Sequence, residues 1–512
     1  MLVRNISTGV LAAFWAALLG FAVVPVYVHR LGVEAYGMVG FLATLQALAQ
    51  ALDMGIAPTV NREVARRTAS AGLRDSLPIL RALTRMYWLT AMLLALGVAS
   101  AAPFVATHWL QSKTLSLATV QQSIMLLGLI VAARWPNGLY AGMLMGAQRL
   151  ELSSAVSAGT ATLTAAGGVV VLLYVSNTIQ ALFAWQAAAA LLGTLAMRWA
   201  AWYAISPDAA HRPLPDFSRL KEFLRRSAGM GLLGIFGLIF TQLDKVLLSR
   251  MLPLPEFGRY MLAIAITSGL YVLVMPFFNA VYPRFSALAA RGDSDGLGTR
   301  YRLGTGLLVT ALFPVAGFLA WFSSDVVMVW THNAELGRSV GPLVSLLAMG
   351  SALHGVMHIP HALQLASGET RLPLMINGSL VIVMVPLTIG LASYFGALGG
   401  AVAWLILHCL YFVVGSWLTH RRLLPTLSYA WPLHDVALPL FASIALAAAA
   451  AWVAHEAAPG SAWVRLIIGL AAAAVNAMVC AALSEQVRAV IRNRLRRVAP
   501  PPLGTPPAAH AE

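Results

Sequence analysis

The chain has 512 residues, 59% hydrophobic and 10% charged, with a formal net charge of +15. Soluble domains carry roughly 25% charged residues, so a water-soluble globular protein is excluded. A mean hydropathy of +0.77 points to a chain that crosses a membrane many times.

The first apolar run, STGVLAAFWAALLGFAVVPVYV, occupies residues 7–28. It exceeds the roughly 7 to 15 residues of a signal-peptide core and reads as a retained first span. A hydrocarbon core about 30 Å thick needs roughly 20 apolar residues per helix. Segments of that kind begin near Ser7, Gly37, Met86, Leu117, Ala155, Ile179, Ala228, Tyr260, Leu303, Val340, Leu372, Phe395, His434 and Ala462. Backbone groups in lipid must bond within their own segment, so the expected fold is all-α, a polytopic bundle of fourteen transmembrane helices. Cys409 and Cys480 sit in separate apolar helices and supply neither a disulfide framework nor a cysteine metal site.

Lysine and arginine set the expected orientation. With a cytoplasmic N-terminus, twenty-five of them fall in inward connections and six in outward ones. Both termini are therefore expected in the cytoplasm. The positive charge is an inward bias that makes anionic membrane lipids a partner, and it requires no nucleic acid. The tail VRAVIRNRLRRVAPPPLGTPPAAHAE is basic and then Pro-rich, a composition expected to be disordered.

An internal repeat organises the rest. The turn RLGVEAYGM after the first span matches RMLPLPEFGRY after the seventh, pairing Gly37 with Gly258. VNREVAR pairs with VYPRFSALAAR through Arg62 and Arg284, and GAQRL with GETRL through Arg149 and Arg371. The offsets are 221, 222 and 222, a constancy that chance does not readily give. The expected organisation is an N-terminal six-helix lobe (1–205), a cytoplasmic linker (206–227), a C-terminal six-helix lobe (228–425), two additional helices (426–485) and the basic tail (486–512). An even number of spans per lobe gives both lobes the same orientation and a pseudo-two-fold axis along the membrane normal. Parallel repeats of this kind usually form transporters with the substrate between the halves.

The N-terminal pattern carries Asn5, Ser7, Pro25, Leu31-Gly32, Tyr36-Gly37 and Asp53-Met54-Gly55, and the second lobe adds TQLDKVLLSRMLPLPEFGRY. In these features the chain resembles polysaccharide flippases, the Wzx-like branch of the superfamily that also holds multidrug exporters and the lipid II flippase. The resemblance implies a non-enzymatic flippase of the bacterial inner membrane. Its substrate would be an undecaprenyl-diphosphate-linked oligosaccharide repeat unit for O-antigen, capsule or exopolysaccharide assembly. It also implies polysaccharide polymerase machinery as a partner. The alternative on the same fold is a cation-coupled multidrug or small-molecule exporter. A membrane polymerase or ligase would carry a long periplasmic loop, whereas the longest polar connections here are the inward ones. No G-x-x-x-x-G-K-[ST] loop is present to drive transport with ATP.

Ionisable groups inside a span are costly and usually face a cavity or a partner. Gln46, Gln50 and Asp53 repeat an i, i+4, i+7 spacing and form one polar face, which either lines a lumen or, at Asp53, fixes a loop. Asp53 and Asp244 are the candidates for ion coupling. Arg134, in ARWPNG, offers a permanently charged, bidentate donor for phosphate; its alternative is an ion pair with Asp53. Asp244 and Lys245 are neighbours about 100° apart on a helix and are not expected to face each other. Lys245 is a lumen candidate.

The stretch HGVMHIPH places His354, His358 and His361 at i, i+4 and i+7. It is the repeat mate of residues 132–139 around Arg134, and each segment holds a proline, Pro136 or Pro360. His354 and His358 join Arg134, Gln46, Gln50 and Lys245 as expected lumen residues. The stripe can bind an anion, carry protons or pack. No carboxylate or cysteine accompanies it in sequence, so neither a metal nor a cofactor is expected.

Overall fold

A computed structural model of the chain describes residues 2–51, 53, 55–69, 76–205, 221, 223 and 238–498. All of the expected linker except residues 221 and 223, the start of the seventh span and the Pro-rich end of the tail lie outside these residues. Among them the fold is helical. The elements are α1 (Leu2–Ala51), α2 (Ile56–Ala69), α3 (Leu77–Phe104), α4 (Leu117–Arg134), α5 (Asn137–Gly146), α6 (Leu150–Val170) and α7 (Ile179–Ile205). There follow α8 (238–251), α9 (Leu254–Thr267), α10 (Gly269–Arg291), α11 (Ser294–Thr331), α12 (Ala334–Val356) and α13 (His358–Ala366). The last are α14 (Arg371–Leu410), α15 (Ser416–Leu423), α16 (Leu438–Ala457), α17 (Ala462–Leu483) and α18 (Glu485–Val498).

Eleven helices among the described residues are long and apolar enough to cross a membrane, which makes this a multi-pass membrane protein. Two of them carry a glycine kink where the hydropathy pattern separates consecutive spans. Gly32 in α1 has φ 82° and Gly396 in α14 has φ 57°, a left-handed backbone that glycine adopts without a Cβ clash. Two repeat-mate spans break at the same repeat position. The α4–α5 break falls at Trp135, ahead of Pro136, and the α12–α13 break at Met357, three residues before Pro360. Each proline lacks an N–H for the preceding turn.

Packing divides the chain into two compact units. The first is Met1–Gly269, Ser323–Gly350 and Leu374–His408; the second is Leu270–Phe322, Ser351–Pro373 and Cys409–Glu512. The first boundary falls at the start of α10 and the others inside α11, α12 and α14. These units follow packing and do not coincide with the lobes expected from the sequence repeat.

In the first unit, the turn of α1 lies against α9 where the two repeat-mate glycines meet. A Cβ on Gly37 would sit 2.8 Å from the Leu254 carbonyl oxygen, and one on Gly258 would run into the Val33 carbonyl. The same region is tied by backbone: Leu254 N–H donates to Gln111 O at 2.8 Å. Glu34, buried, accepts the N–H groups of Lys113 (2.6 Å) and Thr114 (2.9 Å). Further along, Val60 and Val64 of α2 pack with Leu80 and Leu83 of α3, Tyr140 and Leu144 of α5 and Met197 of α7.

In the second unit, α11 holds the helices that follow the repeat. Arg302 donates from Nε and Nη2 to the two oxygens of Asp435 at 2.7 and 3.0 Å, a bidentate pair. Beside it Trp431 Nε1 donates to Thr305 at 2.8 Å, and the Tyr301 hydroxyl lies 3.0 Å from His420 Nε2. All four of those residues are fully buried. Asn476 of α17 and Phe313 of α11 both engage Ser443 of α16.

Candidate functional site

Arg134 is the last residue of α4, placed there by the break ahead of Pro136. Its Nη1 donates to Gln46 Oε1 of α1 at 3.0 Å. A guanidinium only donates, so this hydrogen bond fixes the Gln46 oxygen toward Arg134 and turns its nitrogen away. Gln46 Nε2 is then a buried donor without an acceptor among the described residues, and Trp135 Nε1 is another. Arg134 itself is exposed. The residues at this place thus offer three donor groups and one neutral acceptor, which suits an anion.

Asp53 is not the partner of Arg134. Its Oδ1 accepts the Tyr87 hydroxyl, and its Oδ2 accepts the Ala57 N–H at 3.1 Å. The carboxylate therefore caps the start of α2 and holds α3, the loop-fixing role. Tyr87 in turn stacks on Trp135, with ring centroids 5.8 Å apart. Asp53 thus reaches the Arg134 neighbourhood through two rings. Gln50, one turn from Gln46, is exposed.

Asp244 and Lys245 do pair, contrary to the helical-wheel expectation. Lys245 Nζ lies 3.1 Å from Asp244 Oδ1 and donates to the Thr241 carbonyl at 2.6 Å. The four-carbon stem folds back along the helix, covering an angle that a short side chain could not. Tyr260 donates to Asp244 Oδ2 at 2.8 Å, and the Trp404 ring centroid lies 5.2 Å from the ammonium. Both charged residues are buried, so this pair is satisfied internally and touches neither Gln46 nor Arg134.

The histidines belong to the second unit and pack on an aromatic stripe of α10. The Tyr271 hydroxyl lies 2.6 Å from His354 Nδ1. Phe278 sits 6.2 Å from both His358 and His361, centroid to centroid. Tyr271 and Phe278 are i, i+7 on α10, the same period as His354 and His361. His358 Nδ1 donates to the His354 carbonyl at 3.0 Å, which leaves Nε2 as the acceptor of the neutral ring. All three histidines are half-buried. Of the expected site residues the structure joins Arg134 to Gln46, Asp244 to Lys245, and His354 to His358. Tyr87, Trp135, Tyr271 and Phe278 were missed because an aromatic residue in an apolar span carries no signal of its own. The i, i+7 match between two stripes is the signal that would have found the last two.

Residues 2–289 match the family described as polysaccharide biosynthesis protein. No curated protein sequence matches the chain. Among solved structures, the lipid II flippase MurJ in an inward closed conformation aligns with a TM-score of 0.69 at 11% identity, over 94% of this chain and 99% of that one. An inward-facing multidrug resistance MATE family transporter of the MOP superfamily aligns with a TM-score of 0.66 at 15% identity, over 80% and 94%. A MOP superfamily transporter from Pyrococcus furiosus gives 0.55 at 15% identity, over 82% and 95%. At such identities the likeness is one of fold, here a fold shared with flippases and transporters.

Proposed function

We propose that this chain, a member of the polysaccharide biosynthesis protein family, is a flippase for lipid-linked oligosaccharides. It would carry an undecaprenyl-diphosphate-linked repeat unit from the cytoplasmic to the periplasmic leaflet of a bacterial inner membrane, for O-antigen, capsule or exopolysaccharide assembly. Both termini would lie in the cytoplasm, as the bias of arginine and lysine favours.

The observation that carries the reading is Arg134, an exposed guanidinium at the end of a membrane-spanning segment with only a neutral amide as its partner among the described residues. A sugar diphosphate cannot cross hydrocarbon unaided, whereas its polyprenyl tail can stay in lipid. A planar, permanently charged donor is suited to hold the diphosphate through two parallel hydrogen bonds. Rocking of two repeated lobes supplies alternating access. His354 and His358 are proposed as further lumen groups, with Lys245 entering if its pair with Asp244 opens. A cation-coupled exporter would instead rest on its intramembrane carboxylates, and here Asp244 is ion-paired with Lys245 while Asp53 caps α2.

Deleting the gene in a strain without a redundant flippase should make a lipid-linked repeat unit accumulate on the cytoplasmic face. Normal surface glycan with no accumulated intermediate would sink the proposal.

A further inference from the structure

The last span, α17, ends at Leu483, and Ser484 then takes an extended backbone with ψ 114°. Helix α18 starts at the next residue, Glu485. A one-residue connection advances the chain by only about 3.8 Å, so α18 begins at the membrane surface where α17 ends. Its first turn is held by α11. Val487 is buried, and a Cβ added at Gly306 would lie 3.1 Å from Val487 Cγ2 and 3.0 Å from Ser484 Cβ. Arg302 Nη1 stands 3.6 Å from Glu485 Oε2.

The face that begins on protein continues without it. Val487, Val490 and Ile491 share one side of α18 by i, i+3, i+4 spacing, yet Val490 is 40% and Ile491 46% exposed. Arg488 and Arg492 stand exposed beside them. The helix sequence, EQVRAVIRNRLRRV, sets five arginines against one glutamate, a net +4. An apolar face uncovered by protein, edged with arginine and tethered to the end of a span matches a helix lying in the headgroup layer. Arginine stems cover its apolar margin while the guanidiniums reach phosphate oxygens.

We propose that α18 is an interfacial helix that binds anionic phospholipid, with Val490 and Ile491 among the acyl chains and Arg488 and Arg492 on the headgroups. Charge complementarity and the one-residue tether select the bilayer as its occupant. The proposal is independent of what the protein transports.

The test uses the full chain carrying Cys409→Ser and Ile491→Cys, labelled with bimane and placed in nanodiscs of phosphatidylcholine with or without phosphatidylglycerol; the remaining thiol, Cys480, is buried. The label at 491 should be quenched by lipids brominated in the acyl chain and shielded from iodide. A label at Asn493→Cys, on the opposite side of the helix, should show the reverse. Arg488→Gln with Arg492→Gln should lower the preference for phosphatidylglycerol over phosphatidylcholine at position 491, by about fivefold per arginine. Equal iodide quenching at 491 and 493 would overturn the proposal. So would an unchanged lipid preference in the double variant, or shielding of 491 that requires an acidic protein rather than lipid.

Discussion

Replacing Arg134 by alanine should reduce transport by about two orders of magnitude while leaving the protein in the membrane. The magnitude follows from the hydrogen bonds at stake. Those made to a charged group contribute about 1.5 to 3 kcal/mol each, and a bidentate phosphate interaction supplies two. Non-additivity and solvent reaching an exposed side chain lower the total to about 3 kcal/mol, which corresponds to roughly a hundredfold in rate. Folding should be little affected, because the hydrogen-bond partner of Arg134 is the neutral Gln46, 3.0 Å away. Arg134→Lys keeps the charge but loses the planar fork, so it should fall between wild type and alanine. Gln46→Leu leaves the guanidinium in place without its orienting acceptor and should cost about 1 kcal/mol, near fivefold. The assay is restoration of surface glycan in the deletion strain, with membrane abundance measured in parallel. Full restoration by Arg134→Ala together with His354→Ala, at normal abundance, would remove both residues from the site.

Three further outcomes follow from the packing. Asp435→Leu should lower the apparent melting temperature of the detergent-solubilised protein, since breaking a buried ion pair costs about 3 to 5 kcal/mol. The outcome should sit at the low end, because the Arg302 side chain retains 24% exposure and Glu485 stands 3.6 Å away. Arg302→Met added to Asp435→Leu should recover much of the loss, and a strictly additive double variant would contradict the pairing. Gly258→Ala should destabilise the packing of α9 on the α1 turn by about 1 to 3 kcal/mol, while Gly269→Ala, with open space around it, should not; equal effects on thermal stability would refute the close approach. On α2, burial raises the Glu63 carboxyl but its hydrogen bonds and charges from Arg67 and Arg66 outweigh that and hold it below the ordinary value of 4.5. A depressed carboxylate stabilises the folded state above the unfolded value and loses that contribution as pH falls through the folded one. Mild acid below that range should therefore make α2 more accessible to hydrogen exchange, and Glu63→Gln should abolish the dependence.

Much of the architecture is legible in the sequence because hydropathy is a local sum. Any window of roughly 20 apolar residues must become a helix in lipid whatever lies beside it. The repeat is equally local: the matched turns, and the matched breaks at Trp135 and Met357, are carried by glycines and prolines whose backbone preferences act where they stand. The same local logic singles out Arg134, Asp53, Asp244 and the histidines as polar groups whose place in an apolar segment needs explaining.

Which group meets which was decided by the tertiary structure. Arg134 and Gln46 are 88 residues apart, Tyr271 and His354 are 83, and Asp53 and Tyr87 are 34. A change of one residue in helical register rotates a side chain by about 100°, so a partner on another helix cannot be chosen from spacing alone. The Asp244–Lys245 pair shows the limit even between neighbours, because the flexibility of the lysine stem overrode the wheel. Hydropathy alone makes this chain a helical membrane bundle; packing decided that Asp53 caps a helix, that Lys245 pairs with Asp244, and that Arg134 is left beside an amide.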